Sequence, residues 1–308
     1  MRWQDAAEAR ARDWVGAGDG MSRLWVCCNP ADRLRHVGAF LGNTRILAAG
    51  ELARDDARLS AMVEEIARRP PDVIQGVSNV LAALADGLER RDVSLPGTIC
   101  ISAGSHLTPW YRRRLESVFA PSVRERYAAA EVGLIASSCE RGTLHVHAEN
   151  LLVEILDRDG ATRPPGALGE IAVTMLRNSA APVARRRVGD IGRLPAAPCG
   201  CGRGLPTIDL LGRVSEQIRA GGRVVSPAAL FEAADDPALA EACFHHRRSA
   251  RSLDVAIRRR TEAGAPDLAR MANRLEQAVG AGTSVEIREG GRLSPASSGK
   301  LALVTVSD

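Results

Sequence analysis

Apolar positions in the first part of the chain recur in two alternating rhythms. Between Trp3 and Trp14, Ala, Glu and Arg fall at helical spacing, and Leu24-Trp25-Val26-Cys27-Cys28 follows as a short unbroken apolar run suited to a buried strand. From Leu52 to Arg69 apolar residues return every three or four positions, until Pro70-Pro71 removes the amide donors that a further turn requires. Asp72 to Gly76 reads as a strand and Val77 to Arg90 as a helix. Leu95-Pro96-Gly97 then opens a strand over Thr98 to Ser102, which Ala103-Gly104 ends before a helix from Pro109 to Phe119. Strands alternating with helices predict a parallel sheet, because the crossover between parallel strands takes a helix's length.

The rhythm changes twice more. Between about residues 142 and 191 it shortens to β-branched runs at Leu151 to Leu156 and Gly169 to Thr174, with turns at Asp157 to Gly160 and Pro164 to Gly166. This predicts a mostly β region. After Gly212, strands at Val224-Val225, Leu253 to Ile257 and Val285 to Ile287 interleave with helices at Pro227 to Ala234 and Asp267 to Val279. The fold class is therefore α/β: a larger N-terminal part over residues 1–211 (parallel sheet, helices and a β-rich subdomain) and a small α+β C-terminal domain over residues 212–308, joined near Ser215.

Composition narrows the function classes. With 308 residues, 45% of them apolar, the chain can bury a sizeable core. Its 41 Lys and Arg against 37 Asp and Glu leave a net charge of only +4, spread along the chain, so no nucleic-acid partner is expected. The clusters Arg112 to Arg114 and Arg185 to Arg187 read as solvated surface or local ion pairing. No run of about 18 apolar residues is present and the N-terminus is polar, so neither a membrane nor a signal segment is expected and the location reads as cytoplasmic. In that reducing setting the seven cysteines are thiols or metal ligands, not disulfides.

Four constellations could carry chemistry. Ser297-Ser298-Gly299-Lys300 places the one lysine of the chain beside a flexible glycine near its end. An ammonium can sit on one developing oxyanion where a wide guanidinium would not fit, although a surface turn explains it equally well. A phosphate-binding P-loop is excluded, because the apolar Leu301 to Val306 follows where a helix would be needed. Tyr127 to Gly133 is a strand end running into a turn, with Glu131 placed where a cation or ribose could approach. Val188-Gly189-Asp190, with Leu211 to Gln217 and Gly221-Gly222, sets a carboxylate and Arg213 on glycine turns, able to meet ribose or phosphate or simply to face solvent. Cys199-Gly200-Cys201-Gly202, with Cys139 and His145-Val146-His147 upstream, suits either a structural zinc site or reduced structural thiols. Cys27, Cys28, Cys100 and Cys243 lie in apolar runs and read as buried hydrophobes.

In order and spacing these motifs resemble the phenylacetate-CoA ligase-like branch of the adenylate-forming (ANL, AMP-binding) enzymes. Seven blocks carry the resemblance over nearly the whole chain: Asp72 to Gly76, Ser102 to Gly104 with Leu107 to Pro109, Tyr127 to Gly133, Glu170 to Thr174, Pro182 to Asp190, Gly212 to Pro227, and Ser298-Gly299-Lys300. The resemblance implies that Ser102, Ala103 and Gly104 line an adenine pocket beside Tyr127, that Glu131 holds Mg²⁺, and that Asp190 binds the ribose while Arg213 supports ribose or phosphate. It further implies that Ser215 is the hinge of a mobile C-terminal domain, that Lys300 stabilises the adenylation transition state, and that Cys139, His145, Cys199 and Cys201 bind Zn²⁺, with His147 left open as the alternative ligand.

The activity so implied is ATP-dependent conversion of an aryl or acyl acid to its acyl-adenylate, then transfer to coenzyme A or another thiol or amine. The large domain would be partial. The family's Ser/Thr/Gly-rich phosphate loop is expected before residue 1, and no comparable run occurs within the chain, so a partner chain could supply it. Ala130 stands where a hydroxyl residue is expected, Ser215 where the hinge is usually aspartate, and Arg186 where a tyrosine is expected. The second expectation is accordingly a catalytically inactive truncated homologue serving as a nucleotide-binding or scaffolding subunit. A small-molecule carboxylic acid is the expected partner, and a homodimer is compatible with the resemblance.

Overall fold

The computed structural model describes residues 3–28, 43–121, 123–178, 181–220, 222–260, 263–290 and 299–308. Ser297, Ser298 and Gly221, which belong to the motifs above, lie outside the described residues.

The larger part begins with α1 (Trp3–Asp13), β1 (Arg23–Cys27), β2 (Thr44–Ala48), α2 (Ala49–Leu52), α3 (Asp56–Arg68), β3 (Val73–Gly76), α4 (Ser78–Glu89), β4 (Ile99–Ala103) and α5 (Pro109–Phe119). The helix expected over Leu52 to Arg69 is divided: α2 ends at Leu52, and Asp55 caps α3 by accepting the Arg58 amide at 3.0 Å. At α5 the Thr108 hydroxyl accepts from the Tyr111 amide, and Pro109 fills the first helical position, where no amide is needed. The chain continues through β5 (Val123–Ala129), β6 (Gly133–Ser138), β7 (Leu144–Val146), β8 (Leu151–Leu156), β9 (Gly169–Met175), β10 (Arg186–Arg193) and β11 (Thr207–Arg213).

These strands form one sheet in the order β2-β1-β3-β4-β5-β6-β7-β11-β10-β9-β8. Pairing is parallel from β2 to β5, as the helical crossovers predict, and antiparallel from β5 to β8, as the short turn-linked runs predict. The helices cover the parallel half with a core that includes Ile74, Leu81, Leu84, Leu115 and Phe119, all fully buried.

A single 3₁₀ turn, Val214–Glu216, leads from β11 to the hairpin β12 (Ile218–Ala220) and β13 (Arg223–Val225) and to α6 (Pro227–Ala233). Then β14 (Leu239–Arg247), β15 (Ser252–Arg259), α7 (Leu268–Val279), β16 (Ser284–Glu289) and β17 (Val304–Ser307) build a four-stranded sheet, β16-β15-β14-β17. Its core is continuous with the larger part. Trp110 and Tyr111 of α5, 1% and 3% exposed, join Phe231, Phe244, Leu253 and Met271 in one apolar cluster, and the Trp110 ring meets Phe231 edge-on at 5.6 Å. Polar contacts run along the same seam: Tyr111 donates to the buried Glu241, Arg113 pairs with Asp235 at 2.6 Å, and Arg260 reaches Glu89 at 3.1 Å. At the junction Gly212 has φ +120°, and a Cβ there would lie 2.3 Å from the ring of Pro227, so only glycine lets α6 pack against β11.

Candidate active site at the module junction

The site assembles where the parallel strands end. Ser102 and Ala103 close β4, and Gly104 turns the chain away with φ +84°, a conformation open to glycine. This exit is tied to the start of α4: the Ser78 and Ser102 hydroxyls lie 2.7 Å apart, and the Ser78 amide donates to Ser105 Oγ at 3.0 Å. Next to it, Tyr127 on β5 donates its hydroxyl to Asp190 Oδ2 at 2.8 Å. Asp190 lies opposite Arg213 in the β10–β11 ladder and accepts from its Nε at 2.9 Å. The Tyr127 phenol is held protonated, first by burial and then by the Asp190 charge.

His106, which the sequence does not single out, belongs to the same neighbourhood. Its ring packs on Phe231 of α6 at 5.1 Å, and burial pulls its imidazole down to about 4 while the Asp190 charge opposes the shift. Glu131 sits in the β5–β6 turn, 44% exposed, with Arg186 Nη2 at 3.5 Å from its carboxylate. The other arginines of both triplets are paired as well, Arg185 with Glu154, Arg187 with Glu170 and Arg114 with Asp86, which is the local ion pairing their composition suggests.

Lys300 enters from the other module. Although it lies almost 200 residues downstream of Gly104 in sequence, a carbon built on Gly104 would sit 4.0 Å from Lys300 Cε. The lysine therefore comes close to the loop that follows β4. Ser215 lies in the 3₁₀ turn between the modules.

A second centre lies on the antiparallel half. One ligand atom from each of Cys139, His145, Cys199 and Cys201 falls within 4.8 Å of all the others. Cys201 Sγ is 3.3 Å from His145 Nε2 and Cys139 Sγ is 3.9 Å from Cys199 Sγ, close to the edges of about 3.5–3.8 Å that bonds of about 2.1–2.3 Å to a tetrahedral ion would give. His145 turns its other nitrogen, Nδ1, to the Leu205 carbonyl at 3.1 Å, the arrangement that aims Nε2 at a metal. The Thr143 hydroxyl draws the Cys199 thiol down to about 6, whereas burial pushes Cys139 up. His147, the alternative left open by the sequence, is engaged elsewhere: Arg10 donates to its Nδ1 at 2.6 Å, and its Nε2 meets Ser137 Oγ at 3.1 Å. Trp14 stacks on His147 and meets His145 edge-on, which brings the segment after α1 against the cluster.

No protein-family model matches the sequence, and no curated protein matches it. Solved structures do. A 2-hydroxyisobutyryl-CoA ligase in the post-adenylation state with an acyl-AMP overlays with TM-score 0.71 at 18% identity, over 93% of this chain and 66% of that one. The anthranilate CoA ligase AuaEII in complex with anthranoyl-AMP overlays with TM-score 0.71 at 15% identity, over 96% of this chain and 61% of that one. The amide bond synthetase McbA from Marinactinospora thermotolerans gives 0.68 at 17% identity, over 97% and 64%. The chain thus spans about two thirds of the length of the structures it matches, or slightly less. In its thioesterification state the 2-hydroxyisobutyryl-CoA ligase overlays less closely, with TM-score 0.51 over 93% and 66% at 16% identity.

Proposed function

The chain has the fold of the adenylate-forming enzymes, and from that premise we propose that it takes part in ATP-dependent activation of a carboxylic acid. The observation that carries this reading is Lys300 beside Gly104 at the end of β4, together with the cluster of Tyr127, Asp190 and Arg213 that starts from β5, the strand paired with β4.

In the proposed reaction a carboxylate oxygen attacks the α-phosphorus of ATP, the bond to the bridging oxygen breaks, and pyrophosphate leaves with its electron pair. Negative charge grows on the non-bridging oxygens, and the Lys300 ammonium is placed to neutralise it. Adenine lies against Ser102, Ala103 and Gly104, and the ribose hydroxyls donate to Asp190, whose oxygens retain lone pairs beyond those taken by Tyr127 and Arg213. Transfer then places the acyl group on coenzyme A or another thiol or amine and releases AMP, after movement about the turn that carries Ser215. The residue boundary near 212 divides the body from the moving part.

Glu131 is the residue that would hold Mg²⁺, which when bound supplies charge neutralisation at the phosphates. It fits as one exposed carboxylate of the kind that completes a shell made mostly of water and phosphate oxygens, in competition with Arg186. Zn²⁺ at Cys139, His145, Cys199 and Cys201 is structural in this reading, because four protein ligands close the coordination shell. The 308 residues contain no Ser/Thr/Gly-rich run of the kind that offers backbone donors to ATP phosphates, so the test of this reading includes one.

One observation favours a second reading, a nucleotide-binding or scaffolding subunit without turnover: the guanidinium of Arg186 already answers the charge of Glu131. Pyrophosphate release separates the two. ATP and Mg²⁺ are supplied with a panel of aryl and acyl acids, to the chain by itself and with a Ser/Thr/Gly-rich loop segment added in cis or in trans. Acid-dependent pyrophosphate in either format supports the ligase reading, and nucleotide binding without release in both supports the second.

A further inference from the structure

Lys300 belongs to the C-terminal module, yet it faces a loop of the larger part, so some contact between the two must set its register. Contacts along α5 hold the module as a whole, in an apolar cluster that also takes in Leu301, Leu303 and Val304 just after the lysine. On the other flank of the lysine, a side chain of the larger part reaches the loop through a hydrogen bond. Asn79, in the first turn of α4, donates from Nδ2 to the carbonyl of Gly299 at 2.9 Å, immediately before the lysine.

The backbone around that bond is fitted closely. Gly299 is buried at φ +82°, and a Cβ on it would lie 2.5 Å from the Ala49 carbonyl carbon and 2.7 Å from the Gly50 nitrogen at the start of α2. The carbonyl therefore meets Asn79 only when the loop lies flat on α2. The frame that holds Asn79 is also the frame that holds Gly104, because the Ser78 hydroxyl and amide are bonded to Ser102 and Ser105. Asn79 Oδ1 is buried with no hydrogen-bond partner among the described residues, so the amide is held in place without satisfying its own acceptor.

We infer that Asn79 is a positioning residue for Lys300: its bond to Gly299 fixes the lysine loop in the orientation used for adenylation, and it is released when the module turns. The inference rests on the proposed function for its catalytic meaning, while the latch itself can be tested without turnover. No other lysine occurs in the chain, so an amine-directed acetylating reagent reports on Lys300 and the α-amino group alone.

The experiment compares acetylation rates at Lys300, relative to the α-amine, in the wild type, Asn79→Leu and Gly299→Ala, with thermal melts confirming the fold. Leucine keeps the volume of asparagine and removes the donor; alanine at 299 lifts the loop from α2. The expected result is roughly fivefold faster acetylation at Lys300 in both variants. In an active preparation Asn79→Leu also lowers kcat for adenylate formation about tenfold, leaving KM for ATP and thioester formation from a synthetic acyl-adenylate unchanged. Unchanged acetylation in Asn79→Leu overturns the inference, whether or not Gly299→Ala changes. If Lys300→Ala leaves adenylation intact, the functional reading fails, and the acetylation rates still decide the role of Asn79.

Discussion

Asp190 and Arg213 stand directly opposite one another in the β10–β11 ladder, and the Arg213 guanidinium donates to Asp190 Oδ1 at 2.9 Å. With Tyr127 on the other oxygen, the carboxylate is fixed in orientation by the protein itself, as a ribose-binding group of the proposed function requires. Hydrogen bonds to a charged acceptor are worth about 1.5–3 kcal/mol each. Asp190→Asn is therefore expected to weaken ATP binding by roughly tenfold or more, and Tyr127→Phe by a smaller factor. Titration calorimetry with ATP checks this, and equal affinity in wild type and Asp190→Asn contradicts it.

Arg186 and Glu131 form an exposed pair at 3.5 Å, 56% and 44% accessible, which water and salt screen heavily. On the proposed reading, in which Glu131 holds Mg²⁺, the guanidinium competes for the same carboxylate. Arg186→Ala is expected to lower the Mg²⁺ concentration giving half-maximal nucleotide binding by a few-fold. No change, or a higher requirement, removes Arg186 as a competitor.

Elemental analysis of the purified protein is expected to find about one zinc per chain. Cys199→Ser should lose most of it and melt several degrees lower, whereas His147→Gln should retain it, since His147 is engaged by Arg10 and Ser137. Zinc lost equally in both variants would place the ligand set elsewhere.

His106 gives a pH dependence with a defined sign. Its folded pKa of about 4 lies below the ordinary histidine value, so the unfolded chain binds the proton more readily. Its contribution to stability is full above about pH 6.5 and is lost as pH falls towards 4. The drop in melting temperature between pH 7 and pH 5 should be smaller in His106→Gln than in the wild type. Identical drops would show that His106 does not titrate in this way.

Much of the alternating parallel half of the fold was legible in the sequence, because the strands Arg23–Cys27, Val73–Gly76 and Ile99–Ala103 lie in short, mainly apolar runs, two of them followed or preceded by Pro or Gly. Several strands were not, Thr44–Ala48 and Leu239–Arg247 among them. Thr44–Ala48 is short and only partly buried, and Leu239–Arg247 has Glu241, His245 and His246 interrupting its apolar pattern. Glu241 is tolerated inside because Tyr111 donates to it from 130 positions away, a partner that no local pattern reveals. The same limit applies at the site. Glu131, Asp190, Arg213 and Lys300 stand out in the sequence as candidates, by turns, spacing and the lone lysine, but Asn79 looks like an ordinary first-turn helix residue until Gly299 folds against it. The choice between His145 and His147 likewise depends on Arg10 and Leu205, which lie far from both in sequence.

The central claim is that Lys300 neutralises charge at the α-phosphorus, and acid-dependent exchange of labelled pyrophosphate into ATP tests it most directly. In a preparation that exchanges, Lys300→Ala should lower the rate by roughly 100-fold or more while ATP still binds, and thioester formation from preformed acyl-adenylate should persist. Exchange at the wild-type rate in Lys300→Ala would contradict the account.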